Sequence, residues 1–199
     1  MDARQQPLAG MEPEASRLHH LFFAVLPGPR AADAAVCLAQ VLIARHGLQA
    51  RVRAQRLHAT LLSLGWEGTL SSERVAWARA AAQRVVAPAF TLRFDRVLSF
   101  RGAPHRKRPC VLCGPPGAQG GFMALHEALH TALWPAAPVP GTTPHMTLCY
   151  SHKPVPEAPV PPIAWTVCSF ALLHNLRGSP GPYECLGTWA LAGPHELSK

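Results

Sequence analysis

A four-residue pattern occurs twice in this chain. His58-Ala59-Thr60-Leu61 lies in the first half and His145-Met146-Thr147-Leu148 in the second, with the two histidines 87 residues apart. Each copy sits in an apolar, strand-like setting. Side chains alternate faces along a strand, so His58 shares a face with Thr60, and His145 with Thr147. Ala59, Leu61, Met146 and Leu148 point the other way, toward a core. A single histidine in an apolar strand is usually a hydrogen-bonded core residue. Two copies with the same flanking Thr and Leu instead suggest two imidazoles facing each other across a symmetric cleft.

That set suits phosphodiester chemistry. One imidazole takes a proton from water or a ribose hydroxyl, and the other, protonated, gives one to the leaving oxygen. A reference pKa near 6.5 makes both forms accessible near neutrality. Threonine hydroxyls can donate to non-bridging phosphate oxygens. Acids near the motifs are sparse (Glu67, Glu73 and Glu157), which argues mildly against a carboxylate-rich metal site. No metal and no cofactor are expected.

The 199 residues suffice for one sizeable core or two small lobes. With 48% hydrophobic and 15% charged residues the chain reads as globular. Nineteen basic and 11 acidic residues give +8, a balance that steers toward anionic partners. Residues 1–16 read as a disordered tail without a signal peptide's apolar stretch, and 193–199 as a C-terminal tail. No run is long enough for a membrane span. Six cysteines in a chain of this size do not require a disulfide scaffold, so a cytoplasmic protein with reduced thiols is expected.

Periodicity and turn residues predict an α+β chain. Strands are expected at Leu18–Leu26, at Arg51–Arg53, at Arg56–Leu64 with Gly65 ending it, at Phe90–Phe100 and at Val111–Cys113. Helices are expected over 31–46, 71–86 and 122–134. The first should bury Val36, Leu38, Val41, Leu42 and Ala44, with Gly47 as C-cap. Val75, Ala78, Ala82 and Val85 should form the stripe of the second, and Leu125, Leu129, Ala132 and Leu133 that of the third. Residues 114–121 and the five-proline stretch 154–162 read as loops. Ile163–His174 and Tyr183–Leu191 read as the last two strands.

Some features carry less. His105-Arg106-Lys107-Arg108 is the densest positive cluster, either a grip on an RNA backbone or a solvated loop. One of Arg51, Arg53 and Arg56 is placed to line the cleft. Cys110-x-x-Cys113 has no second pair to complete a zinc site and reads as inert buried thiols. No glycine loop carries the Lys-Ser/Thr of an ATP site. Among the tryptophans, Trp66 is best placed to stack on a base.

The chain resembles the two-histidine (2H) phosphoesterases, most of all their bacterial and archaeal RNA 2′,3′-cyclic phosphodiesterases, also called 2′-5′ RNA ligase-like proteins. Leu21-Phe22-Phe23-Ala24-Val25 with Pro27 is similar to that branch's first strand. His58 to Gly65 matches its first motif, except that Ser63 stands where an aromatic is usual. Pro144-His145-Met146-Thr147-Leu148 matches the second. Phe170-Ala171-Leu172 through Ser179, then Gly181, Tyr183 and Trp189-Ala190-Leu191, is similar to its closing hairpin.

The resemblance spans 17–192 and implies a single bilobal domain. It has two antiparallel-sheet lobes related by a pseudo-two-fold, with helices outside and the active site between. It implies hydrolysis of RNA 2′,3′-cyclic phosphate ends, on tRNA fragments or similar RNAs, to 2′-phosphate. His58 and His145 are then the catalytic pair, and Thr60 and Thr147 bind phosphate. His145 would activate water and His58 protonate the leaving 3′ oxygen; the near symmetry leaves the reverse open. The branch often has an arginine where this chain has Tyr150. Tyr150, Trp66, Arg106, Lys107, Arg108 and Lys153 are therefore candidate substrate contacts. A monomer with no membrane partner is expected. Two other readings stay open: a phosphodiesterase for small cyclic nucleotides, and an RNA-binding protein without turnover.

Overall fold

The computed structural model describes residues 18–193, apart from Pro104 and Pro116. The expected tails, 1–16 and 193–199, lie outside the described residues except for Gly193. Among the described residues eight strands and three α-helices follow one another: β1 (His19–Val25), α1 (Pro29–His46), β2 (Ala59–Glu67), α2 (Ser72–Gln83), β3 (Phe90–Ser99), β4 (Arg108–Cys113), α3 (Gly120–Leu133), β5 (His145–Ser151), β6 (Ala158–Val167), β7 (Ser169–Leu176) and β8 (Glu184–Ala190).

The fold is α+β, with one large antiparallel sheet and peripheral helices. Its strand order is β6-β3-β4-β5-β2-β1-β7-β8. The two motif strands are central neighbours, each leading a four-stranded half. Between the halves a single residue pair is in register, Ala59 with Met146. These are the alanine and methionine of the two motifs, so the seam falls beside both histidines.

The sheet cannot be flat. β6 and β7 stand six places apart, which at about 4.8 Å per strand is roughly 30 Å. Only Cys168 separates Val167 from Ser169, a reach of at most about 7 Å. The sheet therefore bends back on itself. Hydrogen bonds from Leu191 N to Cys168 O (2.8 Å), Ala89 N to Ala192 O (2.8 Å) and Ala192 N to Ala87 O (2.9 Å) tie the ends together.

One sheet face meets the helices in a single core that includes Phe23, Leu61, Phe94, Leu112, Phe122, Leu129 and Met146. The other face carries a small cluster of Phe22, Ala24, Ala171 and Leu173, with Tyr183 packed against it. Phe94, fully buried and edge-on to Trp165 at 5.6 Å, lies on β3, away from the motif strands. Phe94→Ala is expected to destabilise the fold by about 3–5 kcal/mol through lost burial and a cavity. Urea unfolding measures this, and a midpoint equal to the wild type's would contradict it.

Several elements differ from expectation. Arg51–Arg53 forms no strand; a 3-10 turn at Ala54–Arg56 follows and delivers the chain to β2. β2 does not stop at Gly65. That residue takes φ +100°, which a glycine adopts without strain, and the strand runs on to Glu67 past an irregularity in its register with β1. The prolines of 154–162 do not keep the whole stretch a loop. Pro159, Pro161 and Pro162 lie in β6, at the sheet edge, where a missing N–H costs no ladder bond on the open side.

The expected strand Ile163–His174 is two strands in different halves. α1 buries Ala31, Ala35, Ala39 and Leu42 rather than the larger stripe, and Val41 is exposed. Alanines at a spacing of four let the helix approach closely. α2 adds Ala81 to Ala78 and Ala82, with Val75 and Val85 only partly buried. α3 begins at Gly120, inside the expected loop, and buries His126 and His130 on its apolar stripe.

Candidate functional site

The backbone orients both motif histidines in the same way. His58 Nδ1 lies 2.7 Å from the carbonyl oxygen of Arg56, and His145 Nδ1 lies 2.7 Å from that of Thr143. In each case the acceptor is two residues upstream. A carbonyl only accepts, so Nδ1 carries the proton in both rings. Nε2 is then left as acceptor in the neutral ring and donor in the imidazolium. An aromatic ring braces each imidazole. Phe22 and Tyr183 contact His58, with centroids 5.2 and 5.1 Å away, and Phe100 meets His145 edge-on at 4.8 Å.

Burial lowers the pKa of His58 most, and the charges of His145 and Arg56 lower it further, against an opposing hydrogen bond to the Arg56 carbonyl. His145 is therefore near enough for its charge to bear on His58. His20 is pushed down to about 4 by burial and by His58. Its Nε2 lies 2.8 Å from Ser63 Oγ, and its ring stacks between Phe22 (4.8 Å) and Trp66 (4.4 Å). Thus Ser63 supports a three-ring ladder that ends at the outer, half-exposed Trp66. Arg74 on α2 bonds both the Glu67 carboxylate and the Leu64 carbonyl, securing this end of β2.

A cleft of about 780 Å³ opens here. Of the four motif residues, His58 and Thr147 line it; His145 and Thr60 are partly buried and are not among its lining residues. Arg51, Arg53, Arg56 and Lys107 supply its positive wall, and Trp66, Tyr150 and Tyr183 its aromatic surface. Arg106, Arg108 and Lys153 are not among its lining residues. Arg108 lies in β4 opposite Ser151, Arg106 belongs to the preceding turn, and the Lys153 amide bonds Ser151 Oγ. The positive charge facing the cleft thus comes mainly from the segment before the first motif.

Arg56 is fixed on three sides. Its Nε donates to Gly181 O (2.7 Å), its Nη2 to Asn175 Oδ1 (3.1 Å), and its guanidinium lies 4.5 Å over the Tyr183 ring. A guanidinium has five N–H donors, so these two bonds leave others for an anion. Burial raises the Tyr183 hydroxyl against the pull of Arg56, so it remains a phenol.

The sequence does not single out Phe100, Asn175 or His20 for the site. Alternation along β1 groups His20 with Phe22 and Ala24, a signal available for the last of these. Phe100 and Asn175 carry none.

All six cysteines are free thiols. Cys110 faces Cys149 across β4 and β5, and the hydrogen bond between them, with burial, raises the Cys110 thiol. Among the described residues, no group of three or more His, Cys, Asp or Glu is arranged to hold a metal ion. Among them too, no helix is long and apolar enough to cross a membrane.

Residues 28–179 match the family model described as the 2′-5′ RNA ligase superfamily. No curated protein matches the chain. Among solved structures, E. coli LigT in complex with NADP+ is 24% identical, with a TM-score of 0.68 over 87% of this chain and 98% of that one. LigT in complex with 3′-AMP is 22% identical, with a TM-score of 0.69 over 88% and 99%. A Thermus thermophilus protein is 26% identical, with a TM-score of 0.64 over 88% and 100%.

Proposed function

The chain belongs to the 2′-5′ RNA ligase superfamily, and on that premise we propose that it hydrolyses RNA 2′,3′-cyclic phosphate ends to 2′-phosphate by paired-histidine acid–base catalysis. The observation that carries the reading is the matched pair of imidazoles, each held through Nδ1 by the carbonyl two residues upstream. Both proton transfers are done by imidazole, so the reaction as written needs no metal.

The cyclic phosphate sits between the two histidines. His145 Nε2 takes a proton from water as the water oxygen attacks phosphorus. The bond from phosphorus to the 3′ oxygen breaks, its electron pair stays on that oxygen, and His58 Nε2–H protonates it. The 2′ ester remains. His145 leaves the step protonated and His58 neutral; exchange with solvent resets both. Thr60 and Thr147 donate to the non-bridging oxygens, where charge builds. Burial and the Arg56 guanidinium make the His58 imidazolium a stronger acid than a free one, and His145 adds its charge as it takes the proton from water. The anionic phosphate opposes them and favours its proton. Arg56, held in place before substrate arrives, adds charge-assisted donors.

An RNA end fits the cleft better than a bare cyclic nucleotide does. Arg51, Arg53, Arg56 and Lys107 suit more than one phosphate, and Trp66 offers a face for a base to continue the ladder. LigT has been crystallised with 3′-AMP and with NADP+. This keeps small nucleotides as a second reading, separable by RNA length and salt. Trp66→Ala is expected to lower kcat/KM on an RNA oligomer by about 5- to 150-fold, the cost of about 1–3 kcal/mol of stacking. Steady-state kinetics on an oligomer and a cyclic mononucleotide test it. An unchanged value on both would remove Trp66 from the site. The same reading makes the protein a cytoplasmic monomer whose working unit is residues 17–192.

The pH dependence follows from His58. Catalysis needs one proton shared across the pair, so kcat/KM is bell-shaped and its limbs report the free enzyme. With His58 lowered, losing activity on the acid side requires protonating a reluctant imidazole. The acid limb is therefore expected below about 6.5, the ordinary histidine value. A profile from pH 4 to 9 checks this; a half-maximum on the acid side above that value would contradict it.

A further inference from the structure

His126, on α3, is 2% exposed and lies outside the cleft lining, yet it contacts backbone next to the first motif and in the segment that leads to the second. Its Nδ1 is 2.7 Å from the carbonyl oxygen of Leu61, and its Nε2 is 3.0 Å from that of Pro140. Leu61 follows Thr60 on the first motif strand. Pro140 lies in the segment that leads from α3 to His145. Between the two motif strands Ala59 and Met146 are the one pair in register, so backbone pairing alone fixes their separation at a single point, beside the shared core.

Both partners of His126 are acceptors. A neutral imidazole can donate to one of them, and the imidazolium to both. A buried polar group on an apolar helical stripe is costly unless it is bonded, and here the ring nitrogens face carbonyls on two segments, one in β2 and one on the approach to β5. On the same helix the His130 ring lies 6.5 Å away, centroid to centroid.

We propose that His126 is a positioning residue that ties the Leu61 carbonyl to the Pro140 segment and so sets the spacing of His58 and His145. This rests on the functional reading above. A tie of this kind acts on geometry in the transition state rather than on substrate affinity. Misplacing a catalytic group by about 1 Å can cost on the order of 100-fold.

The test uses the full chain with His126→Phe, which keeps a ring and removes both ring nitrogens, and His126→Gln, which keeps one amide donor group. Two readouts are taken: kcat and KM on an RNA with a 2′,3′-cyclic phosphate end, and the His58 titration followed by NMR. In His126→Phe, kcat is expected to fall on the order of 10- to 100-fold, with KM within about threefold. The His58 titration should move upward, because a looser pair feels less of His145's charge and less burial. His126→Gln should fall between Phe and wild type in both readouts, and it carries the test alone if Phe does not fold. Folded variants with wild-type kcat and an unchanged His58 titration would overturn the proposal. A wild type without turnover would sink the functional reading, while the His58 titration would still decide whether His126 sets the spacing.

Discussion

Alanine at His58 or at His145 is expected to lower kcat on a 2′,3′-cyclic phosphate end by about 10²- to 10⁴-fold, the range for removing a positioned acid or base. The affinity for inorganic phosphate should change far less, because Arg56, Lys107 and Thr147 still line the cleft. The double variant should lose little more than either single one, since the two rings serve one step and act as a unit. Single-turnover rates and phosphate titration give the two numbers. If both single variants kept wild-type kcat, the paired imidazoles would be structural. If phosphate binding collapsed along with kcat, the histidines would be ligand-binding groups rather than proton carriers.

The second large effect separates the two roles. A ribose oxygen needs a proton to leave; a p-nitrophenolate does not. With bis(p-nitrophenyl) phosphate, the deficit of His58→Ala is expected to shrink by on the order of 10²-fold relative to its deficit on the cyclic ribose phosphate. His145→Ala should keep its full deficit on both substrates, because the water still has to lose a proton. The opposite pattern would make His145 the acid and His58 the base, which the near symmetry of their backbone bonds accommodates. Equal deficits on both substrates for both variants would contradict a division into acid and base.

Much of this was legible in the chain. The repeat of His-x-Thr-Leu marked the starts of two neighbouring strands: His145 opens β5, His58 stands immediately before β2 rather than within the expected Arg56–Leu64 strand, and Thr147 lines the cleft with His58 while Thr60 does not. Strand alternation is a local property that sequence carries directly. The bend of the sheet is not. Ile163–His174 reads as one apolar run, and only pairing partners show that β6 and β7 diverge at Cys168 into different halves. Prolines read as loop signals in 154–162, because nothing local says that β6 lies on an edge. The cationic wall of the cleft is hidden from local sequence for a similar reason. His105 to Arg108 has the higher local density of charge, yet the site takes three arginines from 51–56 and only Lys107 from that cluster. Which arginine faces inward depends on Gly181, Asn175 and Tyr183, more than a hundred residues away. His126 was missed because an apolar helical stripe gives no sign of which carbonyls it will meet.

The identity of the product decides the reaction. Purified, EDTA-treated protein is incubated with a short RNA ending in 2′,3′-cyclic phosphate, and the product is identified by mass spectrometry and phosphatase sensitivity. The predicted result is a terminal 2′-phosphate, formed with chelator present. A folded protein that leaves the cyclic phosphate intact across pH and salt, or that yields a 3′-phosphate, would contradict it.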